Sequence, residues 1–191
     1  MSLLRRLAMI LMVFATLIVA GTARAEDIQI QNAILELTEE GPAITADFRL
    51  ELPAKLEEAL LGGVPLYFIV ECEVARPRWY WLDDRVTTAV TRYRLSYHSL
   101  TREYRLSSGA LNHGVATLAE GLRVMTALRT WVIADRALLR PATTYEAWLR
   151  MRLDTSQLPR PLQVAAFGQR DWALASPWQK WQFIIPDART R

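Results

Sequence analysis

The segment Arg76–Leu106 reads RPRWYWLDDRVTTAVTRYRLSYHSLTREYRL. Between Val90 and His98 apolar and polar residues alternate, and residues 102–106 continue the alternation. Successive side chains of a β-strand point to opposite faces, so a period of two predicts two strands here. If the chain turns at Ser99-Leu100, these strands form an antiparallel hairpin with one apolar and one charged face.

The short turn sets the expected register of this hairpin, although it lacks the Gly or Asn that two-residue loops favour. On the charged face it places Arg94 opposite Arg105 and Ser96 opposite Glu103, with Glu103 diagonal to Arg94. On the apolar face the expected pairs are Tyr97 with Arg102, Leu95 with Tyr104, and Tyr93 with Leu106.

Similar apolar patterns predict further strands on both sides of the hairpin. In the first of them the apolar phase shifts between Ile30 and Ala33, which indicates a β-bulge or a strand buried on both faces. The predicted strands are Ile28–Leu37, Ile44–Leu52, Val64–Val74, Trp131–Ala134, Tyr145–Leu153 and Trp178–Ile185.

Two stretches predict helices. Pro53 can begin a short helix over Ala54–Leu61, because a proline at the first helical position loses no hydrogen bond. Gly62-Gly63 would end it. Apolar residues recur at three- and four-residue steps from Val115 to Met125, which predicts an amphipathic helix over about residues 115–129.

The spacing of these elements predicts a mostly β protein. Many antiparallel strands with one amphipathic helix and short helical turns favour an antiparallel β-sandwich, immunoglobulin-like in architecture. We expect one domain over residues 26–186, with a polar tail at 187–191. Turns are predicted at Glu39–Pro42, at Asp83-Asp84, and at Leu158–Pro161, the last followed by a short apolar run to Gly168.

Residues 1–25 have the three parts of a secretory signal peptide. Arg5 and Arg6 precede the apolar run Leu7–Ala20, and the small residues Ala23 and Ala25 stand where signal peptidase requires them. We expect cleavage after Ala25 and export to the periplasm, with membrane contact only through this segment before cleavage. The alternative is an N-terminal anchor in the inner membrane, but the run is shorter than the roughly 20 residues of a spanning helix.

The positive charge of the chain does not indicate nucleic-acid binding. The sequence has 23 basic and 20 acidic residues, a net charge of +3. Arg5, Arg6 and Arg24 lie in the predicted signal peptide, and without them the 23 basic residues fall to 20, equal to the 20 acidic ones. A neutral chain without a Lys/Arg run lacks the electrostatic attraction that dominates nucleic-acid binding.

Cys72 is the single cysteine, so no internal disulfide can form. It is in phase with the apolar residues of Val64–Val74, which predicts a buried thiol that acts as a small hydrophobic side chain. The alternative is a nucleophile or an intermolecular crosslink, which requires an electropositive neighbour that its strand face does not offer.

The sequence contains no G-x-S-x-G, P-loop, G-x-G-x-x-G, C-x-x-C or H-E-x-x-H motif. One enzymatic alternative is a hydrolase or metal enzyme around His98 with Asp83 or Asp84. The simpler interpretation is that the two aspartates cap a turn and His98 hydrogen-bonds at a strand end. We therefore predict no catalytic residue, no metal and no cofactor.

Aromatic and arginine residues are concentrated between Arg76 and Tyr104. Trp, Tyr and Arg are common anchors of protein interfaces, but aromatic rings also fill cores and stack with arginine. The hypothesis is a binding surface, with a purely structural role as the alternative. Its candidate residues are Arg76, Arg78, Trp79, Tyr80, Trp81, Asp83, His98, Arg102 and Tyr104.

Across residues 27–185 the chain resembles the family of exported proteins of Gram-negative bacteria known as domain of unknown function 4390. The resemblance implies no known activity, ligand or catalytic residue. Genes of that family often lie beside one for a nitrogen-regulation-type sensor kinase, which implies a role in envelope signalling. The motifs that carry the resemblance are Arg78-Trp79-Tyr80-Trp81 with Asp83, Arg94–His98, Leu100–Arg102, Tyr104–Leu106, Leu153-Asp154, Leu158-Pro159, Pro161–Gln163, Asp171-Trp172 and Trp178.

These observations favour a non-catalytic periplasmic module that binds another envelope protein, for which the resemblance suggests a membrane sensor kinase. The alternative is a binder of small ligands or glycans that uses the same aromatic and arginine side chains as a stacking surface. An enzyme around His98 is the third hypothesis.

Overall fold

The structure, a computed structural model, describes residues 28–78, 84–166 and 172–187. These residues form nine strands in two sheets, and all neighbouring strands run antiparallel. The smaller sheet has the order β1 (Ile28–Leu37), β2 (Pro42–Leu50), β7 (Ala127–Val132). The larger sheet has the order β6 (Leu111–Val115), β5 (Glu103–Ser108), β4 (Asp84–His98), β3 (Leu66–Arg76), β8 (Thr144–Leu153), β9 (Gln179–Ile184).

Three short helices and two 3₁₀ turns connect these strands within the described residues. The helices are α1 (Ala54–Leu61), α2 (Leu118–Met125) and α3 (Arg160–Ala166), and the 3₁₀ turns are Arg136–Leu138 and Thr155–Gln157.

One apolar core joins the two sheets. On β3 every second residue from Leu66 to Val74 is fully buried, as the period of two predicts. The same buried cluster contains Ile28, Ile44 and Phe48 of the smaller sheet. The side of the larger sheet that faces away from this core is called its outer face below.

The prediction of a mostly antiparallel β protein with two sheets is confirmed. The immunoglobulin-like detail is not confirmed, because the sheets have six and three strands and β3 to β6 follow one another in a simple meander. A constant-type immunoglobulin domain has four and three strands with Greek-key connections.

Several local predictions are confirmed. The register of β1 against β2 shifts between Ile30 and Asn32, which is the predicted irregularity. Helix α1 has the expected bounds, with Pro53 immediately before it and Gly62 after it. Strand β3 ends at Arg76, directly before Pro77, since proline has no N–H to continue the ladder. Cys72 is fully buried, and burial raises the pKa of its thiol to about 12.

The predicted register of the β4–β5 hairpin is wrong by two residues. The observed pairs are Leu95 with Leu106, Tyr97 with Tyr104, and His98 with Glu103. Because side chains alternate with a period of two, this shift leaves the residues of both strands on their predicted faces, except Arg102, which lies in the turn.

A longer turn explains the shift. Residues 99–102 all lie in the loop, and the N–H of Arg102 donates to the carbonyl of His98 at 2.8 Å. Arg102 has φ 56°, a left-handed conformation that is uncommon for residues other than glycine. The residue at this position is neither Gly nor Asn, so the sequence pattern does not show that the turn extends to Arg102.

The helix predicted over residues 115–129 is shorter in the structure, because the residues at both of its predicted ends belong to strands. Val115 ends β6, and β7 begins at Ala127 instead of Trp131. Helix α2 begins after Thr117, whose hydroxyl accepts the N–H of Glu120 at 3.1 Å as an N-cap. Two elements were not predicted: β6, and α3 at the start of the apolar run before Gly168.

Candidate functional surface

The candidate residues lie at opposite ends of β4. Arg76 pairs with Asp84 at its beginning, and His98 lies at its end. A strand rises about 3.3 Å per residue, so Asp84 and His98 are roughly 45 Å apart. This separation rules out the metal or catalytic site that would combine these two residues.

Trp79, Tyr80, Trp81 and Asp83 lie outside the described residues. Over the described ranges, no three His, Cys, Asp or Glu side chains are close enough to hold a metal ion. The same ranges include no helix that is long and apolar enough to cross a membrane.

At the beginning of β4, two arginines bind one carboxylate. The guanidinium groups of Arg76 and Arg78 both donate to Oδ2 of Asp84, the second at 2.7 Å. These bonds, chiefly that from Arg76, lower the pKa of Asp84. Both arginines are therefore tied to the first residue of β4, where sequence patterning had predicted a turn at Asp83-Asp84.

At the other end, the candidate residues have different environments. His98 and Arg102 are exposed, whereas Tyr104 is half-buried on the inward side of the sheet. Its ring centroid lies 4.9 Å from that of Tyr97. Burial raises the pKa of Tyr104, and the nearby charge of Glu57 on α1 adds to the effect. Tyr104 is therefore a packing residue in this structure.

Between these ends, three exposed arginines share the outer face: Arg92 and Arg94 on β4, and Arg105 on β5. We call them the arginine face. Arg94 lies opposite Ser107 and Arg105 opposite Ser96, so the two arginines are diagonal neighbours. Sequence patterning placed them on a charged strand face but did not identify them as a site.

None of the three arginines forms an ion pair in the part of the chain that the structure describes. The predicted register had placed Glu103 diagonal to Arg94. In the observed register Glu103 lies opposite His98, two residues closer to the turn than the predicted partner Ser96. Like charges on adjacent positions repel, and no carboxylate of the described residues forms an ion pair with these arginines to offset that repulsion.

The arginines of β8 on the same face are paired. Glu71 on β3 accepts hydrogen bonds from Nε of Arg150 at 2.9 Å and from Nε of Arg152 at 3.0 Å. Burial raises the pKa of Glu71, but the hydrogen bonds and charges of the two arginines outweigh it, so the pKa is lowered. We call Glu71, Arg150 and Arg152 the Glu71 cluster.

We expect Glu71→Gln to lower the free energy of unfolding by about 1–3 kcal/mol at neutral pH, because Arg150 and Arg152 lose their counter-charge. The folded-state pKa of Glu71 is depressed, so its contribution is present above the unfolded-state value and is lost as the pH falls through the folded-state pKa. The difference between wild type and variant should therefore shrink below about pH 4.3.

Urea unfolding at neutral and acidic pH measures this difference, with Glu103→Gln at an exposed position as the control. A deficit of the Glu71 variant that stays equally large in acid would contradict the role of the ionised carboxylate.

The fold and this surface define a class: a two-sheet antiparallel β protein with a buried thiol and a large, charged outer sheet face. The family model described as domain of unknown function (DUF4390) matches residues 25–182. The chain therefore belongs to this family, as its motifs indicated. No curated protein and no solved structure matches the chain significantly.

Proposed function

We propose that the protein is an exported, non-catalytic interaction module whose arginine face binds an acidic segment of another envelope protein. The observation that carries the proposal is a group of three exposed arginines on adjacent strands that form no ion pair with any residue the structure describes. Two carboxylate-bearing side chains of a partner would relieve their mutual repulsion and form charge-assisted hydrogen bonds.

The side-chain chemistry favours carboxylates presented by a protein. Arginine offers a planar set of donors that matches a carboxylate in two parallel hydrogen bonds, and it is enriched among interface anchors. Ser96 and Ser107 lie beside Arg105 and Arg94, and their small side chains leave the guanidinium groups accessible.

The scaffold holds these arginines in place. β4 is paired with β3 from Asp84 to Leu95 and with β5 from Tyr93 to His98. Side chains on a paired strand keep a fixed spacing, so the partner meets a preorganised set of donors. This rigidity favours an interaction surface over a flexible charged tail.

The proposed location is the periplasm. It is supported by Arg5 and Arg6, the apolar run Leu7–Ala20, and the small residues Ala23 and Ala25. The proposed partner is the sensor domain of a membrane kinase, which rests on the association of this family with such kinases. Its site should present Asp and Glu residues.

The test is the binding of the mature protein to the purified sensor domain of a nitrogen-regulation-type kinase from the same cell, and to proteins crosslinked to it in intact envelopes. The binding variant carries glutamine at the arginine face, and the control variant loses the same charge at exposed arginines elsewhere. The substitutions are Arg92→Gln, Arg94→Gln and Arg105→Gln for binding, and Arg49→Gln, Arg123→Gln and Arg129→Gln for the control.

We expect the binding variant to weaken association by at least about tenfold and the control variant to leave it unchanged. Added salt should weaken the wild-type complex, because exposed charges are screened. Equal binding by wild type and both variants would reject the arginine face as the interaction surface. Binding to anionic vesicles with no protein partner would reject the proposed partner class.

A further inference from the structure

Two tryptophans of the larger sheet lie on its outer face instead of in the core. Trp148 is on β8, and Trp178 immediately precedes β9 and is 41% exposed. Each ring has a cation from the opposite strand above it. The guanidinium of Arg150 lies 4.3 Å from the ring centroid of Trp178, and Nζ of Lys180 lies 5.2 Å from that of Trp148.

Carboxylates hold both cations in place. Arg150 belongs to the Glu71 cluster, and Nζ of Lys180 lies 2.8 Å from Oε2 of Glu146, which is buried. The hydrogen bond from Lys180, with a second from Gln182, lowers the pKa of Glu146. Each ring is therefore partly covered by a cation, and a carboxylate already neutralises the charge of that cation.

An open cleft of about 520 Å³ lies beside these rings. We call it the tryptophan cleft; it is lined by Glu73, Ala75, Arg85, Trp148 and Trp178. The small side chain of Ala75 is buried, which leaves room between the rings and the polar pair. Glu73 and Arg85 are paired at 3.1 Å, and both remain partly accessible to solvent.

The lining restricts the chemistry of a ligand. Every charged group of the cleft has a partner of opposite sign, so an anion or a cation would have to break an existing pair. An aromatic surface with a carboxylate and a guanidinium at its border suits a neutral molecule that has an apolar face and several hydroxyl groups. A sugar ring has an apolar face and several hydroxyl groups. Its C–H bonds stack on an indole, and its hydroxyls can donate hydrogen bonds to a carboxylate and accept them from a guanidinium.

We propose that the tryptophan cleft binds a neutral glycan, with sugar rings stacked on Trp178 and Trp148 and hydroxyls bonded to Glu73 and Arg85. The volume is within the range of small-molecule sites, about 300–1,000 Å³. This site is separate from the arginine face and does not depend on a protein partner. Its residues come from β3, β4, β8 and the residue before β9, and they are not among the candidate residues that sequence patterning suggested.

Titration with neutral oligosaccharides, followed by NMR of the indole N–H signals and by calorimetry, tests this site. The probes are chitotriose, cellotriose and maltotriose, with a trisaccharide of glucuronic acid as the anionic comparison. The variants are Trp178→Ala at an exposed ring and Glu73→Gln, and the control is Trp131→Ala on β7 of the other sheet. Circular dichroism verifies that each variant is folded.

We expect saturable binding of at least one neutral trisaccharide, weakened about tenfold or more by Trp178→Ala and unchanged by Trp131→Ala. Glu73→Gln should weaken binding while leaving the protein folded. The proposal is overturned if no neutral probe saturates, if the anionic probe is preferred, or if the Trp178 and Trp131 variants bind alike.

Discussion

Gly41→Ala is expected to lower the free energy of unfolding by about 3–5 kcal/mol, because the added methyl group would meet the backbone in a conformation that disfavours alanine. Gly41 lies in the turn before β2 at φ 145°. A Cβ placed there would stand 2.2 Å from the carbonyl oxygen of Ala134 and 3.1 Å from the N–H nitrogen of Arg136.

The surrounding backbone cannot easily move away. The N–H of Arg136 donates to the carbonyl of Glu40, and the N–H of Ile133 donates to the carbonyl of Pro42, both at 2.9 Å. The turn and residues 133–136 are thus fastened on both sides of Gly41. A clash between two backbone segments must break these bonds or displace the strands that follow them.

Alanine substitutions at two other glycines distinguish the cost of a steric clash from the cost of a left-handed backbone conformation. Gly114 has no atom within 4 Å of an added Cβ, and Gly109 has the same open space but φ 58°. Chemical unfolding should show little change for Gly114→Ala and a loss of about 1–2 kcal/mol for Gly109→Ala. If Gly41→Ala were no more destabilising than Gly109→Ala, close approach at the turn would not matter to stability.

Phe68→Ala is expected to destabilise the protein by about 3–5 kcal/mol, the range for removing a large aromatic side chain from a core. Phe68 is fully buried on β3, where Tyr93 of β4 and Leu153 of β8 lie opposite it on either side. Truncation removes contacts at the centre of the larger sheet, where neighbouring strands limit collapse into the cavity.

Urea unfolding measures this loss, and Leu100→Ala is its control because Leu100 is 89% exposed in the β4–β5 turn. The control should change stability by less than about 0.5 kcal/mol. A cost for Phe68→Ala that is as small as this would mean that the β3 core is not tightly packed.

The outer face contains two proposed surfaces that can be tested separately. The arginine face lies on β5 and on β4 from Arg92 onward, whereas the tryptophan cleft includes β3, Arg85 near the start of β4, β8 and the residue before β9. The Glu71 cluster joins β3 to β8 through hydrogen bonds. The glutamine variants of the arginine face should therefore leave glycan binding unchanged, and Trp178→Ala should leave association with the protein partner unchanged.

Part of the candidate surface could be read from sequence because it is local. Arg76, Arg78 and Asp84 are close along the chain, and the antiparallel pairing of the consecutive strands β3 and β4 places Arg76 opposite Asp84. The arginine face needed the register of β4 against β5, which depends on a left-handed Arg102 that no glycine signals. A shift of two residues decides whether Glu103 lies beside Arg94 or beside His98.

The sequence by itself determined the local elements of this protein. A period of two specified which side chains of β2, β3 and β8 enter the core, including Cys72, and proline and glycine marked where α1 and β3 end. These signals are local because they arise from the geometry of a few consecutive residues.

Only the tertiary structure decided which strands are neighbours and what their outer side chains meet. Glu71 binds Arg150, 79 residues away, and the tryptophan cleft combines residues 73, 85, 148 and 178. Strands with similar apolar faces can pair in several orders, and the local period does not distinguish among them. The strand order is selected because it buries the apolar faces of all the strands together. The pairing of the outer charged side chains and the position of the tryptophan cleft therefore follow only from the complete fold.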